Sequence, residues 1–149
     1  MVIKINIEKK IKKIVTKHQT NNPIELAERL GFIVLFENLG TINGYYNVSS
    51  RQKIIHINEN LPRHIQLLTV AHELGHGILH NKINTAFLKE HTFLSVNKLE
   101  KEANLFAIHL LISDEELEEL SHYTISQLSK HFGYPEPLIS LRLLNKTST

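Results

Sequence analysis

The sequence has no cysteine and no tryptophan, and it has few glycines and prolines. The absence of cysteine excludes a disulfide scaffold, a thiolate metal site and cysteine catalysis. No apolar run approaches the roughly 18 residues that a membrane-spanning helix needs. The first twenty residues hold six lysines but lack the apolar core and cleavage site of a secretory signal peptide. We therefore expect a cytoplasmic protein with no membrane contact.

An excess of charge of one sign is also missing. Lysine and arginine number 17 against 15 aspartates and glutamates, which gives a net charge of +2 with neutral histidine. A balance so close to neutral gives no argument for nucleic-acid binding. Histidine, in contrast, is abundant, with ten residues in 149. In a chain without cysteine, a metal ion would be held by histidine, aspartate or glutamate.

The order of the apolar periodicities predicts an α+β fold in a single domain over residues 1–149, a length that suits one core. The predicted elements are N-terminal helices at 3–31, a sheet at 32–58, a helix at 62–80, a second long helix at 96–112 and a helix-turn-helix-like segment at 124–144. Three β-rich runs separated by turn signals predict a small, mostly antiparallel three-stranded sheet. The run Phe32–Phe36 is apolar throughout, and we expect it to be a buried strand.

The most informative segment of the chain is a His-Glu-x-x-His pattern within the predicted helix at 62–80. His72 and His76 are one helical turn apart, so both imidazoles lie on one face and can reach a single zinc ion. Glu73 is rotated by roughly 100° from His72. From this side of the helix, the Glu73 carboxylate can take a proton from the attacking water and later pass it to the leaving amine. The pattern predicts His72 and His76 as metal ligands and Glu73 as the catalytic base.

A catalytic zinc site also needs a third protein ligand and one open position. The metzincin spacing does not apply, because Leu79 and Lys82 stand where that class has glycine and histidine. The better source is the predicted helix at 96–112, where Glu100 and Asn104 are four residues apart and share a face. We predict that Glu100 is the third ligand and that Asn104 holds the free ring nitrogen of a ligand histidine.

Two neighbouring side chains are predicted to have lesser roles. Glu102 points about 200° away from Glu100 and is expected to be exposed; it becomes the ligand only if the helix presents another face. His80 is rotated by about 80° from His72, so we expect it to touch a ligand or line the pocket. Six side chains are candidates for steadying the oxyanion, and the sequence does not choose among them: Tyr45, Tyr46, His80, His109, His122 and Tyr123.

On these residues the chain resembles the ImmA/IrrE family of zinc-dependent metallo-endopeptidases. The shared segments are Pro23–Gly31, the Gly44-Tyr45-Tyr46 turn, Ile54–Asn58, Thr69–His80, Glu100–Ala107 and Leu110-Leu111. The resemblance implies a zincin-like fold, with the sheet packed on the His-Glu-x-x-His helix and on a second, ligand-bearing helix. It implies His72, His76 and Glu100 as Zn²⁺ ligands and Glu73 as the base.

The resemblance also implies a substrate, because members of this family cut or otherwise inactivate helix-turn-helix repressors of phages and mobile elements. We therefore expect an endopeptidase that cleaves such a repressor. The alternative is a metal-containing regulator that sequesters the repressor without cutting it. A structural zinc site of that kind tends to be closed by a fourth protein ligand, for which His80 is the candidate.

The helix-turn-helix-like segment at 124–144 is expected to pack on the core or dock a partner rather than read DNA. Its last predicted helix, Glu136–Leu144, has Arg142 as its single base. Helices that read DNA use several basic or amide side chains to reach phosphates and base edges. We therefore expect no specific nucleic-acid binding.

Overall fold

A computed structural model describes residues 2–80 and 93–144, with side chains described for 6–80 and 98–144. This part of the chain forms seven helices and three strands, which confirms the predicted α+β class. In chain order they are α1 (Val2–His18), α2 (Pro23–Arg29), β1 (Ile33–Glu37), β2 (Gly44–Ser49), β3 (Gln52–Asn58), α3 (Arg63–Leu79), α4 (Phe93–Leu111), α5 (Asp114–Glu119), α6 (Ile125–Phe132) and α7 (Glu136–Leu144). Within these ranges, no helix combines the length and the apolar character needed to cross a membrane.

The ends of the short helices follow from local sequence. The Asn22 side chain accepts hydrogen bonds from two backbone N–H groups in the first turn of α2, and Pro23 fills the first helical position. Thr124 and Gln127 form a capping box at the start of α6. Gly133 ends the same helix with a φ of 80°, a left-handed conformation that glycine adopts without strain. These signals explain why the predicted short helices lie close to the observed ones.

The sheet is mixed rather than mostly antiparallel, with the strand order β1-β3-β2. Strands β2 and β3 form the expected antiparallel hairpin, but β1 pairs with β3 in parallel. The reason is the connection at 38–43, which crosses the end of β3 before β2 begins. Asn58, at that end, donates from its side-chain amide to the carbonyl oxygens of Gly40 and Ile42, at 2.9 and 3.0 Å. The chain therefore enters β2 on the far side of β3.

The prediction that the first strand is buried is wrong. Strand β1 lies at the edge of the sheet, and its Ile33, Leu35 and Phe36 are between 36% and 41% exposed. Only Val34 of its apolar residues is packed against the core. An apolar run is typical of a buried strand, but composition does not reveal whether a strand has one neighbour or two.

The hydrophobic core lies between one face of the sheet, helices α1 and α2, and the pair α3 and α4. Its fully buried side chains include Leu26, Tyr46, Ile55, Ile57, Val70, Leu74 and Phe106. A second buried cluster joins the end of α4 to α5, α6 and α7, and it contains Ile108, Ile112, Leu117, Leu128, Tyr134 and Ile139. Because α4 contributes residues of its C-terminal half to both clusters, packing holds this half of the helix in place.

Small residues let α3 and α4 approach closely. A Cβ atom added to Gly75 of α3 would lie 3.0 Å from the Cβ atom of Phe106 on α4. Ala103, one turn before Phe106, and Ala107, the residue after it, are almost fully buried. This close contact sets the distance across which polar side chains of the two helices face each other.

We expect Gly44→Ala to destabilise the fold. A Cβ atom at Gly44 would lie 2.6 Å from the carbonyl oxygen of His56 on β3 and 2.7 Å from Cγ2 of Thr69 on α3. Because the first contact is with backbone that has no rotamer to change, we expect the free energy of unfolding in urea to fall by about 1–3 kcal/mol. Ser49→Ala, at the exposed end of the same strand, should change it by less than about 0.5 kcal/mol. Equal stability of the two variants would contradict this account.

Candidate metal centre

Helices α3 and α4 bring three of the predicted site residues together. The Glu100 carboxylate lies between the two histidines of α3, with Oε2 3.0 Å from Nε2 of His72 and Oε1 2.8 Å from Nε2 of His76. One possible ligand atom from each residue lies within 4.8 Å of the other two. Two imidazole nitrogens and one carboxylate oxygen are a donor set that catalytic zinc sites use. The residues present therefore fit a metal ion of this kind.

The ring of His72 is held by a second residue of α4. Its Nδ1 lies 2.8 Å from Oδ1 of Asn104, and an amide oxygen only accepts hydrogen bonds. Nδ1 of His72 therefore donates to Asn104, and Nε2 is the ring nitrogen that faces Glu100. This is the position that the sequence predicted for Asn104; its effect on metal binding stays a prediction.

Charges and hydrogen bonds at the site shift the pKa values of His72 and Glu100. Burial lowers the pKa of His72. Its hydrogen bond to Glu100 and the charges of Glu73 and Glu100 raise the pKa by more, so the pKa of His72 lies above its usual value. Burial raises the pKa of Glu100, and its hydrogen bonds with His72 and His76 lower it by more, so it lies well below its usual range. The site thus keeps an ionised carboxylate among three neighbouring polar side chains, an arrangement that favours a bound cation.

Glu73, the predicted base, lies at the wall of a cleft. The residue is only 3% exposed and follows His72 on α3. The cleft has a volume of about 230 Å³ and is lined by Asn43, Gly44, Leu68, Thr69, His72, Glu73, Asn104 and Leu138. Glu73 therefore lies beside His72, a predicted ligand, and beside space that a substrate could enter. The sequence did not predict that Asn43 and Leu138 line a cleft, because a turn residue and an apolar helix residue carry no chemical signal.

His80 contacts a predicted ligand but is not placed to be one. Its Nδ1 lies 3.0 Å from Nδ1 of His76, and its Nε2 lies 2.7 Å from Oε1 of Glu102. Burial lowers the pKa of His80 more than Glu102 raises it, so the ring tends to be neutral. The expectation that Glu102 is exposed is wrong, since its side chain is only 16% exposed. It lies against His80, the residue that directly follows α3.

The remaining oxyanion candidates lie elsewhere. Tyr46 is enclosed in the core, and Tyr45 stacks on a histidine ring of the neighbouring strand. His109 lies in a hollow beside α1, while His122 and Tyr123 border a separate hollow on α6. None of these five side chains lines the 230 Å³ cleft as the described part of the chain forms it.

Comparison with known proteins identifies relatives over most of the chain. The IrrE N-terminal-like domain of peptidase family M78 matches residues 27–144. The uncharacterized immunity region protein 2 of Bacillus phage phi105 is 36% identical over 143 residues, which cover 94% of this chain and 90% of that protein. The metallopeptidase ImmA of Bacillus subtilis strain 168 is 32% identical over 143 residues, which cover 92% of this chain and 83% of that protein.

A solved structure shares the fold. A transcriptional regulator of Mycobacterium tuberculosis superposes with a TM-score of 0.61 and a sequence identity of 17%, over 93% of this chain. The match covers 46% of the regulator, so this chain spans less than half of its length. At this identity the likeness concerns the fold alone.

The relatives and the donor set at the α3–α4 contact agree on the class of protein, which is a metallopeptidase. The chain belongs to peptidase family M78, the family of the IrrE N-terminal-like domain. The resemblance to ImmA/IrrE proteins that the sequence indicated is thereby confirmed.

We expect the purified protein to bind about one zinc ion per chain, because the site offers two imidazoles and a carboxylate. His72→Ala and His76→Ala should each abolish binding, and Glu100→Ala should weaken it strongly. Glu118→Ala, which removes an exposed carboxylate of α5, is the control and should retain full occupancy. Elemental analysis after gel filtration measures the metal, and a melting curve of each variant checks its folding. Full zinc occupancy in both folded histidine variants would exclude this site.

Proposed function

We propose that this chain is a zinc-dependent endopeptidase with a zincin-like site, and that its substrate is a helix-turn-helix transcriptional repressor of a phage or mobile element. The proposal rests on one observation. His72, His76 and Glu100 face one another across the contact of α3 and α4, and Glu73 adjoins them at the wall of a cleft.

In this proposal His72 and His76 hold the ion through Nε2, and Glu100 holds it through its carboxylate. A zinc ion bound there would supply Lewis-acid polarisation of the scissile carbonyl and of the attacking water. Among the residues described, the cluster provides three donors. Three protein ligands are typical of catalytic zinc sites, whereas structural sites use four.

Glu73 moves the proton. Its carboxylate takes a proton from the attacking water and gives it to the leaving amine as the peptide bond breaks. The nearly complete burial of the residue supports this role, because a carboxylate shielded from bulk water interacts more strongly with nearby charges and protons. Its place next to His72 keeps it close to the ligand set.

The substrate would lie against β2. This strand is at the edge of the sheet, and the residues at its start, Asn43 and Gly44, line the cleft beside Glu73. An extended peptide can add to such an edge through main-chain hydrogen bonds. A segment bound along β2 would then pass across the cleft, in front of the catalytic carboxylate.

The nature of the substrate rests on the relatives. One of them is named as a phage immunity region protein and the other as the metallopeptidase ImmA. The resemblance to ImmA/IrrE proteins implies that the substrate is a repressor of the helix-turn-helix class. A substrate of this class would be met in the cytoplasm.

The position of His80 bears on the alternative, a regulator that sequesters the repressor without cutting it. A structural site would need a fourth ligand, and His80 was the candidate for it. Both of its ring nitrogens instead face other partners, Nδ1 towards His76 and Nε2 towards Glu102. This arrangement supports the peptidase over the sequestering regulator.

We expect Glu73→Gln to bind zinc as the wild type does and to lose peptidase activity. The amide has the size of the carboxylate but cannot accept the proton, and loss of a positioned base costs roughly 10²–10⁴ in rate. The assay incubates the protein with helix-turn-helix repressors from the genome that encodes it, with and without a chelator, and follows cleavage by mass spectrometry. Glu118→Gln is the matched control and should cleave as the wild type does.

The same variant separates the two candidate functions. If Glu73→Gln relieves repression as fully as the wild type and no fragments form with either protein, sequestration is the activity and the peptidase proposal fails. Fragments from the wild type alone, lost on adding the chelator, are the result that we expect.

The contacts of α7 support a packing role for the C-terminal helices. Arg142, the base of α7, is 2% exposed. Its Nε donates to the carbonyl oxygen of Ile112 at 3.0 Å, and its guanidinium pairs with Asp114 at 2.6 Å. Ile139 of the same helix is buried against α4, and Leu138 reaches the cleft. We therefore propose that α7 supports the cleft and does not read DNA.

We expect binding to random duplex DNA to be weak, with a Kd at or above roughly 10⁻⁵ M at physiological salt. The reason is that Arg142 is fully engaged inside the protein and the net charge is only +2. Fluorescence anisotropy over a series of salt concentrations measures this. A sub-micromolar and steeply salt-dependent Kd would show that the exposed lysines of α1 bind nucleic acid.

A further inference from the structure

A chain of hydrogen bonds runs from His76 away from the ligand set and ends at Glu102. Nδ1 of His76 lies 3.0 Å from Nδ1 of His80, and Nε2 of His80 lies 2.7 Å from Oε1 of Glu102. The three side chains are shielded from solvent, with exposures of 0% for His76, 6% for His80 and 16% for Glu102. The proposed function gives Glu102 no role.

The chemistry of the last residue sets the direction of every bond in this chain. A carboxylate only accepts hydrogen bonds, so Nε2 of His80 carries a hydrogen and donates it to Glu102. The Nδ1 of neutral His80 is then a bare acceptor. The short contact between the two Nδ1 atoms requires one hydrogen, which must come from His76. His76 thus donates from Nδ1, and its Nε2, which lies 2.8 Å from Oε1 of Glu100, is left as the nitrogen that would bind the ion in the loaded site.

We propose that His80 and Glu102 are positioning residues that keep His76 in the tautomer a metal ion requires. This inference rests on the proposed function, since the metal site itself is part of that proposal. Helix α4 would then orient both histidines of α3. Asn104 holds His72 directly, and Glu102 holds His76 through His80.

The acceptors behind His72 and His76 differ in charge, and this difference can be tested by measuring zinc affinity. Asn104 offers a neutral acceptor, whereas the chain behind His76 ends on a carboxylate. Carboxylates behind a ligand histidine raise its basicity as well as fixing its orientation, and their loss typically costs 10–100-fold in metal affinity. A purely structural tie between the end of α3 and α4 would affect the melting temperature and leave the zinc affinity of the folded protein unchanged.

The first test measures zinc affinity by competition with a chromophoric chelator. We expect Glu102→Ala to bind zinc roughly 10–100-fold more weakly than the wild type. Glu102→Gln should lie between the two, because its amide oxygen can accept from His80 but carries no charge. Glu118→Ala is the matched control on an exposed surface and should equal the wild type. Melting curves of the metal-free variants show whether each is folded.

The second test reads the tautomers directly, by long-range ¹H–¹⁵N NMR of the zinc-loaded wild type. We expect the hydrogen on Nδ1 of His76 and on Nε2 of His80. A structural tie makes no demand on which nitrogen is protonated, so this measurement separates the two roles. A hydrogen on Nδ1 of His80 would reverse the direction of the hydrogen bond between His76 and His80 and overturn the inference.

The outcomes distinguish this inference from the function on which it rests. If the wild type binds no zinc, the proposed function fails and the inference fails with it. If the wild type binds zinc and folded Glu102→Ala binds it as tightly as the Glu118→Ala control, only the inference fails. Should Glu102→Ala not fold, Glu102→Gln decides, and wild-type affinity in that variant would overturn the proposal.

Discussion

The close contact between α3 and α4 is the constraint on which the rest of the molecule depends. Gly75 leaves room for Phe106, and the small residues Ala103 and Ala107 are buried between the helices. Larger side chains at these positions would push the helices apart, and Glu100 would no longer reach both histidines. The C-terminal half of α4 is also anchored in a second buried cluster, which helps to hold this spacing. The core thus sets the geometry of the site.

Polar groups at this contact are paired with one another rather than left to solvent. His72 is held by Asn104 and by Glu100, and His76 by Glu100 and by His80. Buried polar groups without partners are costly, whereas a fully paired network is rigid. A site built on two packed helices can therefore hold its ligand atoms in place before an ion arrives. Preorganisation of this kind is what a tight and selective metal site requires.

Much of the site could be predicted because helical spacing is local. Residues four apart on a helix share a face. This rule predicted that His72 lies beside His76 and that Glu100 lies beside Asn104. Features that depend on distant parts of the chain were not accessible in this way. The parallel pairing of β1 depends on a loop that crosses the end of β3, and no local signal marks that path. The angle of Glu102 from Glu100 was estimated along α4 alone, but the partner of Glu102 is His80, which follows the end of α3.

The central claim is that His72, His76 and Glu100 together bind one catalytic ion. Anomalous diffraction from crystals of the zinc-loaded protein, with data collected on both sides of the zinc absorption edge, tests it most directly. The account predicts one peak per chain, about 2.0–2.2 Å from Nε2 of each histidine and from a carboxylate oxygen of Glu100. A peak held by other side chains, or His80 bound directly to the ion as a fourth ligand, would contradict it.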